Sequence, residues 1–341
     1  MRVITARNVN EAYCVGTNKL RSDGVFSNSR AGQVLTLPYP VTTAYMRPRE
    51  RVLFNASRDA NPFFHYLESL WMLAGRNDVE WLERYNGSIG QFSDDGKTFH
   101  GAYGYRWRSH FQRDQIDQVI ALLRTDPDTR RAVLGMWDPR VDSGEGKDFP
   151  CNMQVVFRMR LGSLDMTVYN RSNDIIWGAY GANVVHMSIL QEYVAYMLGV
   201  PVGIYYQVSN DYHAYTKVFN ALEIPDPGPV DPYQMREVTA SYLFADRARI
   251  MPELWAFMNN PYDVSLTEPF LCGIAVPMVQ AWELFKGGNL TGAIKHVERI
   301  ESNDWKKACH EWLVRRLERK ANRRQRPTVA YSDNDTRPKR S

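Results

Sequence analysis

Residues 153–169 carry the pattern that most constrains this chain. Met153 to Arg160 and Leu164 to Tyr169 alternate in the manner of strands, with Val155 and Phe157 on the first and Leu164, Met166 and Val168 on the second. Leu161-Gly162-Ser163 between them is a turn signal, so the segment reads as an antiparallel hairpin. Whatever precedes its first strand then lies beside whatever follows its second. Phe149-Pro150-Cys151-Asn152 precedes, and Asn170-Arg171-Ser172-Asn173-Asp174 follows. A thiol and an Arg-Ser pair are thereby expected to face one cavity.

Around the hairpin most segments read as helix. Pro62 to Ala74 places Phe63, Leu67, Leu70, Trp71 and Ala74 on one stripe, with Glu68 at its border. Ile116, Val119, Ile120 and Leu123 mark a second helix, stopped at Asp126-Pro127, and Asn183 to Leu198 a third, ended by Gly199 and Pro201. Residues 1–60 read as short strands and loops, including the turn-rich Ser27-Asn28-Ser29-Arg30-Ala31-Gly32 and the strand from Gln33 to Leu37. Gly101 to Arg108 reads as a turn or loop rich in aromatics and arginines, and Arg130-Arg131 open an apolar strand. Ile204 to Val208 is a further strand, with Asp211-Tyr212-His213 at its end. A run with Pro225, Pro227, Gly228, Pro229 and Pro232 looks like a linker. Beyond it, helices are expected around Leu254 to Phe257 and over Pro277–Phe285, Leu290–Ile300 and Trp305–Leu317. From Arg319 the chain is basic and polar, and disorder is expected. The organisation expected is therefore a catalytic domain over 1–225, a helical region over 226–318 and a tail over 319–341.

The four cysteines, Cys14, Cys151, Cys272 and Cys309, have neither metal-ligand spacing nor the setting of a disulfide framework. The first residues lack the shape of a signal peptide, and no segment approaches the ~18 apolar residues of a membrane span. A reducing, cytoplasmic setting without a metal is expected. The formal charge of +4 is too small to argue for nucleic acid.

Several side chains suit one nucleotide. Cys151 is a candidate nucleophile if a nearby cation lowers its pKa, although a lone cysteine is more often a small buried hydrophobe. Arg171 and Ser172 can hold a phosphate through a guanidinium fork and a hydroxyl. Asn183 can read a pyrimidine edge, and His213 and Tyr215, alternating on an extended segment, can bracket a sugar hydroxyl. Arg30 in its loop, Glu68 at its helix edge and the Arg130-Arg131 pair each have a bland reading as solvated surface.

The ordered motifs over roughly residues 20–220 resemble the thymidylate synthase family, which includes the pyrimidine nucleotide hydroxymethylases. Phe149-Pro150-Cys151 resembles the nucleophile's Pro-Cys, Asn170-Arg171-Ser172-Asn173-Asp174 the Gln-Arg-Ser-x-Asp motif, and Asn210-Asp211-Tyr212-His213-Ala214-Tyr215 the Gly-Asp-x-His-x-Tyr motif. Upstream, Leu67-Glu68-Ser69-Leu70-Trp71 resembles the His-Glu-Leu-Leu-Trp helix, Tyr103 to Arg108 the Tyr-Gly-x-x-Trp-Arg motif, and Asp126 to Arg131 the Asp-Pro-x-Ser-Arg-Arg motif. The resemblance implies an α+β fold: a bent, mixed β-sheet covered by helices, here with a helical C-terminal extension. It implies that Cys151 attacks C6 of a pyrimidine nucleotide, and that C5 then takes a one-carbon unit from 5,10-methylenetetrahydrofolate. Glu68 and Tyr103 would serve proton transfer, Arg30, Arg171 and Ser172 the phosphate, Asn183 and Asn170 the base, His213 and Tyr215 the sugar, and Asp174 the pterin. Arg130 and Arg131 would reach the phosphate of a partner subunit, so a homodimer is implied.

Departures sharpen the expectation. Asn152 stands where the synthases carry His, Gly178 to Asn183 is one residue longer than their Gly-Leu-Pro-Phe-Asn, and their Trp-rich insert and C-terminal closing peptide have no counterpart. Without those two features water can reach the reacting carbon, which favours a hydroxymethyl product. Loss of the His tips the base toward cytosine, so a dCMP hydroxymethylase is the expectation. A dUMP hydroxymethylase or a thymidylate synthase is the alternative. A non-catalytic nucleotide- or nucleic-acid-binding homologue, using the basic tail, is the alternative of another class.

Overall fold

The computed structural model describes residues 1–222, 231–263 and 265–325. Six strands form a mixed sheet in the order β1 (Arg2–Ala6), β4 (Val41–Tyr45), β9 (Val202–Ser209), β7 (Ser163–Asn170), β6 (Asn152–Arg160) and β5 (Val133–Gly135). A second, four-stranded sheet runs β2 (Val25–Ser29), β3 (Gly32–Thr36), β10 (Tyr212–Tyr215) and β8 (Asn173–Asp174). The expected hairpin is β6–β7, paired from Asn152↔Asn170 to Arg160↔Ser163. Its turn residues Leu161 and Gly162 both have positive φ, as a two-residue loop that follows the strand twist requires.

The two central strands of the first sheet both hand over to the second. β7 continues into β8 and β9 into β10, so the parallel pairs Asn170↔Ser209 and Tyr212↔Asn173 stand on either side of one bend. Main-chain bonds stitch that bend: the Asn210 N–H donates to the Asn170 carbonyl at 2.9 Å and the Asn173 N–H to the Asp211 carbonyl at 2.8 Å. This is the bent, helix-covered α+β architecture expected from the motifs.

The Pro62–Leu73 helix starts with Asn61 accepting from the Phe64 N–H and with proline in its first turn. The Asn183–Leu198 helix is buried on nearly every side over its first thirteen residues and ends at Gly199, φ 76°. Residues 231–325 pack onto these helices. Phe63 meets Trp282 and Trp312 with ring centroids 5.5 and 5.6 Å apart, and the Tyr66 hydroxyl donates to the Phe270 carbonyl. Arg51 pairs with Glu192, both side chains fully enclosed, and Glu192 also accepts from the Leu243 N–H. Among the described residues no helix is long and apolar enough to cross a membrane.

Three expectations need correction. Residues 1–60 contain a fifteen-residue helix, Val9–Asp23, where strands and loops were expected. Its inward stripe of Val9, Ala12, Tyr13, Gly16, Thr17 and Leu20 includes small and polar residues, and Asn10 is buried beside it by bonding the Val52 carbonyl, so apolar periodicity was weak. Tyr103–His110 is helical rather than a loop. Gly104 presses against the Met72 carbonyl so closely that a Cβ would collide with it, and tertiary packing rather than propensity decides the conformation. The last helix runs Asn303–Gln325, past the Arg319 at which disorder was expected. Arg315, Arg316 and Arg319 converge on Asp59 at 3.0, 2.8 and 2.9 Å, which anchors that extra length. Pro225 to Pro229 of the linker run and the basic residues beyond Gln325 lie outside the described residues.

Glu192→Ala leaves the Arg51 guanidinium buried without its counter-charge. It should lower unfolding free energy by about 3–5 kcal/mol in urea titrations.

Candidate active site

Cys151 immediately precedes β6, and Arg171 immediately follows β7. The Arg171 N–H donates to the Cys151 carbonyl at 3.0 Å, so the hairpin brings thiol and guanidinium together as the alternation implied. The guanidinium also donates to the carbonyls of Pro150 and Phe149, and one of its nitrogens lies 4.0 Å from the Cys151 Sγ. Burial pushes the thiol pKa up, and Arg171 and Arg30 oppose it. Arg30, on the β2–β3 turn, reaches the carbonyls of Gly146 and Lys147 just upstream of the cysteine.

One cleft is lined by Glu68 and Trp71 from the Pro62–Leu73 helix, Tyr103, Pro150, and Asn183 and His186 from the Asn183–Leu198 helix. Burial holds the Tyr103 phenol far above its usual range, so it stays protonated, and its oxygen accepts weakly from the Asn152 N–H. Asn183, at the start of its helix, donates to Asn173 Oδ1 at 3.2 Å and accepts from Asn152 Nδ2 at 3.5 Å. Asn173 is held in turn by the Ser209 hydroxyl at 2.9 Å. Asn170 faces Asn152 across the hairpin and donates to the Val208 carbonyl.

The second sheet carries the remaining groups. His213 on β10 is paired with Asp174 on β8. Burial pulls the His213 imidazole pKa down, but Asp211, 3.4 Å away, outweighs it and the net shift is upward. Tyr215 packs edge-on against His213. One oxygen of Asp174 caps the following helical turn by accepting from Ile176 and Trp177, while burial raises its pKa.

Several buried polar atoms without a hydrogen-bond partner among the described residues lie here. They include Glu68 Oε2, Asn152 Oδ1, Asn170 Oδ1, Asp174 Oδ2, both His186 nitrogens and His213 Nδ1. In a folded chain such atoms are paired by ordered water or by a ligand. The structure thus sets Cys151 beside Arg171, gathers Glu68, Tyr103 and Asn183 around one cleft, links Asn183 to Asn152 and Asn173, and groups His213, Tyr215 and Asp174 on the second sheet. Arg130 and Arg131 are exposed, and the cations acting on Cys151 within the chain are Arg171 and Arg30.

The Thymidylate synthase family model matches residues 56–225. A deoxyuridylate hydroxymethyltransferase of Pseudomonas phage M6 is 47% identical over 339 residues, covering 93% of this chain and 95% of its own length. The chain belongs to the thymidylate synthase family. A deoxyuridylate hydroxymethyltransferase of Bacillus phage SP01 is 43% identical over 194 residues, covering 53% of this chain and 51% of its own. The T4 phage thymidylate synthase structure shares the fold at 22% identity, with a TM-score of 0.51 over 60% of this chain and 76% of its own.

Within this family fold, sequence reasoning gave no role to His186, Asn173, Asp211 or Arg58. His186 could have been found from its spacing of one turn from Asn183 on the same helix. Arg58 could not: it is buried, lies over the half-exposed Trp177 ring at 4.5 Å and donates to the Ile176 carbonyl, contacts that only the folded chain creates.

With the Cys151 thiol shifted upward, its thiolate fraction grows as pH rises. Iodoacetamide labelling of Cys151, read by peptide mass spectrometry, should climb about tenfold per pH unit between roughly pH 7 and 9. Arg171→Ala should slow labelling throughout that range by removing the nearest cation.

Proposed function

We propose that this chain transfers a hydroxymethyl group to C5 of dUMP, with 5,10-methylenetetrahydrofolate as co-substrate. The observation that carries the reading is the near full-length 47% identity to the phage M6 deoxyuridylate hydroxymethyltransferase, beside a cysteine whose Sγ lies 4.0 Å from the Arg171 guanidinium. The base moves from the cytosine expected on the Asn152 substitution to uracil. Asn183 spends one N–H on Asn173 and one lone pair on Asn152, which leaves a donor and an acceptor, the complement of uracil O4 and N3–H. A flipped amide would serve cytosine, so the weight rests on the relatives, three of which bear the deoxyuridylate name.

The folate site fits what the cleft offers. Trp71, Ile89 and Phe92 supply apolar walls, and Asp174, on β8 rather than among the residues lining this cleft, keeps one buried oxygen unpaired for a pterin N–H. Methylenetetrahydrofolate supplies the one-carbon unit when bound. Cys151 bonds to C6 of the ring, the displaced π pair moves toward C5 and O4, and Arg171 steadies the thiolate before attack. Arg30, Arg171 and Ser172 hold the phosphate, and His213 and Tyr215 the sugar. Asn183 holds the base, with Asn170 beside it. Tyr103, kept as a phenol, assists loss of the C5 proton through hydrogen bonding, and Glu68 organises water and proton transfer. C5 bonds to the one-carbon unit, the C5 proton is lost and tetrahydrofolate leaves as its carbon–nitrogen bond breaks, and water then adds to the exocyclic carbon.

Arg130 and Arg131 act across a homodimer in this reading. The outer face of the six-stranded sheet supports it: Val3 is 62% and Val133 39% exposed, and Val156, Tyr169 and Tyr206 are left half-covered. Arg131→Ala should raise the KM for dUMP on the order of tenfold, although the residue is not among the cations acting on its own Cys151. The protein should sediment as a dimer.

The deciding assay offers dUMP, dCMP and CMP in parallel with methylenetetrahydrofolate and reads products by mass spectrometry. 5-Hydroxymethyl-dUMP without dihydrofolate is expected, and Cys151→Ala should abolish it. A methyl product with dihydrofolate, or hydroxymethylation of dCMP alone, would overturn the assignment.

A further inference from the structure

We infer that His186 is a positioning residue for the reaction, holding the Glu68 carboxylate in the orientation from which it serves the reacting water. The inference rests on the hydroxymethyl-transfer reading and deepens it.

His186 projects from the Asn183–Leu198 helix one turn beyond Asn183, so the two side chains share a face and line the same cleft. Its Nε2 lies 3.0 Å from Glu68 Oε2 across the interhelical contact, with the imidazole 3% and the carboxylate 15% exposed. Neither ring nitrogen, nor Glu68 Oε2, makes an aligned hydrogen bond to any described group. The pair is therefore not consumed in holding the helices together: hydrogen-bond capacity stays unspent where it faces the cleft. Catalytic hydrogen bonds are often poorly aligned before substrate binds, and tighten in the complex.

The surroundings leave His186 to Glu68. Behind the pair, His65 stands one turn earlier on Glu68's own helix, and burial, with Arg58 and His186 adding to it, holds its pKa well down. His65 therefore brings no charge to the site, and Arg58 is spent on the Ile176 carbonyl and the Trp177 ring. Tyr103 and Asp148 line the cleft beyond, with Tyr103 close to Asn152 and Asp148 taken by the Gly101 N–H. The strand after the nucleophile brings no imidazole, because Asn152 is there and its amide turns to Asn183.

The chemistry needs a fixed carboxylate. As water adds, its oxygen bonds to the exocyclic carbon and the π pair of that carbon moves onto the ring. One water proton passes to a Glu68 oxygen. Expulsion of the Cys151 thiolate from C6 then restores the ring double bond, and the product carries the hydroxyl. An imidazole N–H on one carboxylate oxygen leaves the other aimed at the water.

The test compares His186→Ala, His186→Gln and His186→Asn in the full-length protein. The wild-type product establishes or refutes the reaction itself; the ratios among variants, measured on whichever product forms, judge His186. His186→Ala should lower kcat about 10²-fold with the dUMP KM within about threefold. The Cys151–nucleotide adduct should still form by mass spectrometry. His186→Gln, whose amide reaches Glu68, should recover most of the rate, and the shorter His186→Asn should not. Turnover of His186→Ala within threefold of wild type, or equal rates for Gln and Asn, would overturn the inference. Should the alanine variant fail to fold, the Gln-to-Asn ratio alone decides.

Discussion

The short contact between the exits of one hairpin governs this site. Arg171 gives its main-chain N–H to Cys151 and its guanidinium to Phe149 and Pro150, so the cation cannot move without the segment bearing the thiol. A buried thiol resists ionisation, and a guanidinium tied to the same peptide carbonyls is an economical way to counter that. The register of β6 on β7 sets this geometry, because a one-residue slip would turn Cys151 and Arg171 to opposite faces.

The bend where β7 and β9 pass into β8 and β10 extends the arrangement. On one side lie Cys151, Asn152 and Asn170, on the other Asn173, Asp174, His213 and Tyr215. Any buried polar atom at this bend that neither water nor ligand pairs costs about 1–3 kcal/mol. That cost is met elsewhere, by an apolar core running without interruption from the first sheet to the aromatic residues of the last helices. The C-terminal region thus supports the walls of the cleft: Trp282 and Trp312 brace the helix bearing Glu68, and Arg51, Glu192 and Leu243 fasten the helix bearing Asn183 and His186.

Most of the site was legible because its residues lie in short motifs on predictable elements. Turn chemistry and strand alternation were enough to place Cys151 against Arg171. The Val9–Asp23 helix was missed because polar residues occupy its buried face, satisfied by groups distant in sequence. The last helix was cut short because its basic end reads as a solvated tail until Asp59 stands beside it. Asn152 was read as a sign of cytosine from its place after the cysteine; only the fold shows its amide donating to Asn183 Oδ1.

By itself, the sequence determined the hairpin, the main helices around it and the order of polar groups along the chain, since those follow from local periodicity and turn residues. Tertiary structure decided which of those groups meet. Only folding sets His186 against Glu68, ties Asn152 through Asn183 to Asn173, and buries Arg51 with Glu192. The reason is physical: hydrogen bonds and charge pairs between distant segments depend on through-space distance and burial, and neither is a property of a residue's neighbours in the chain.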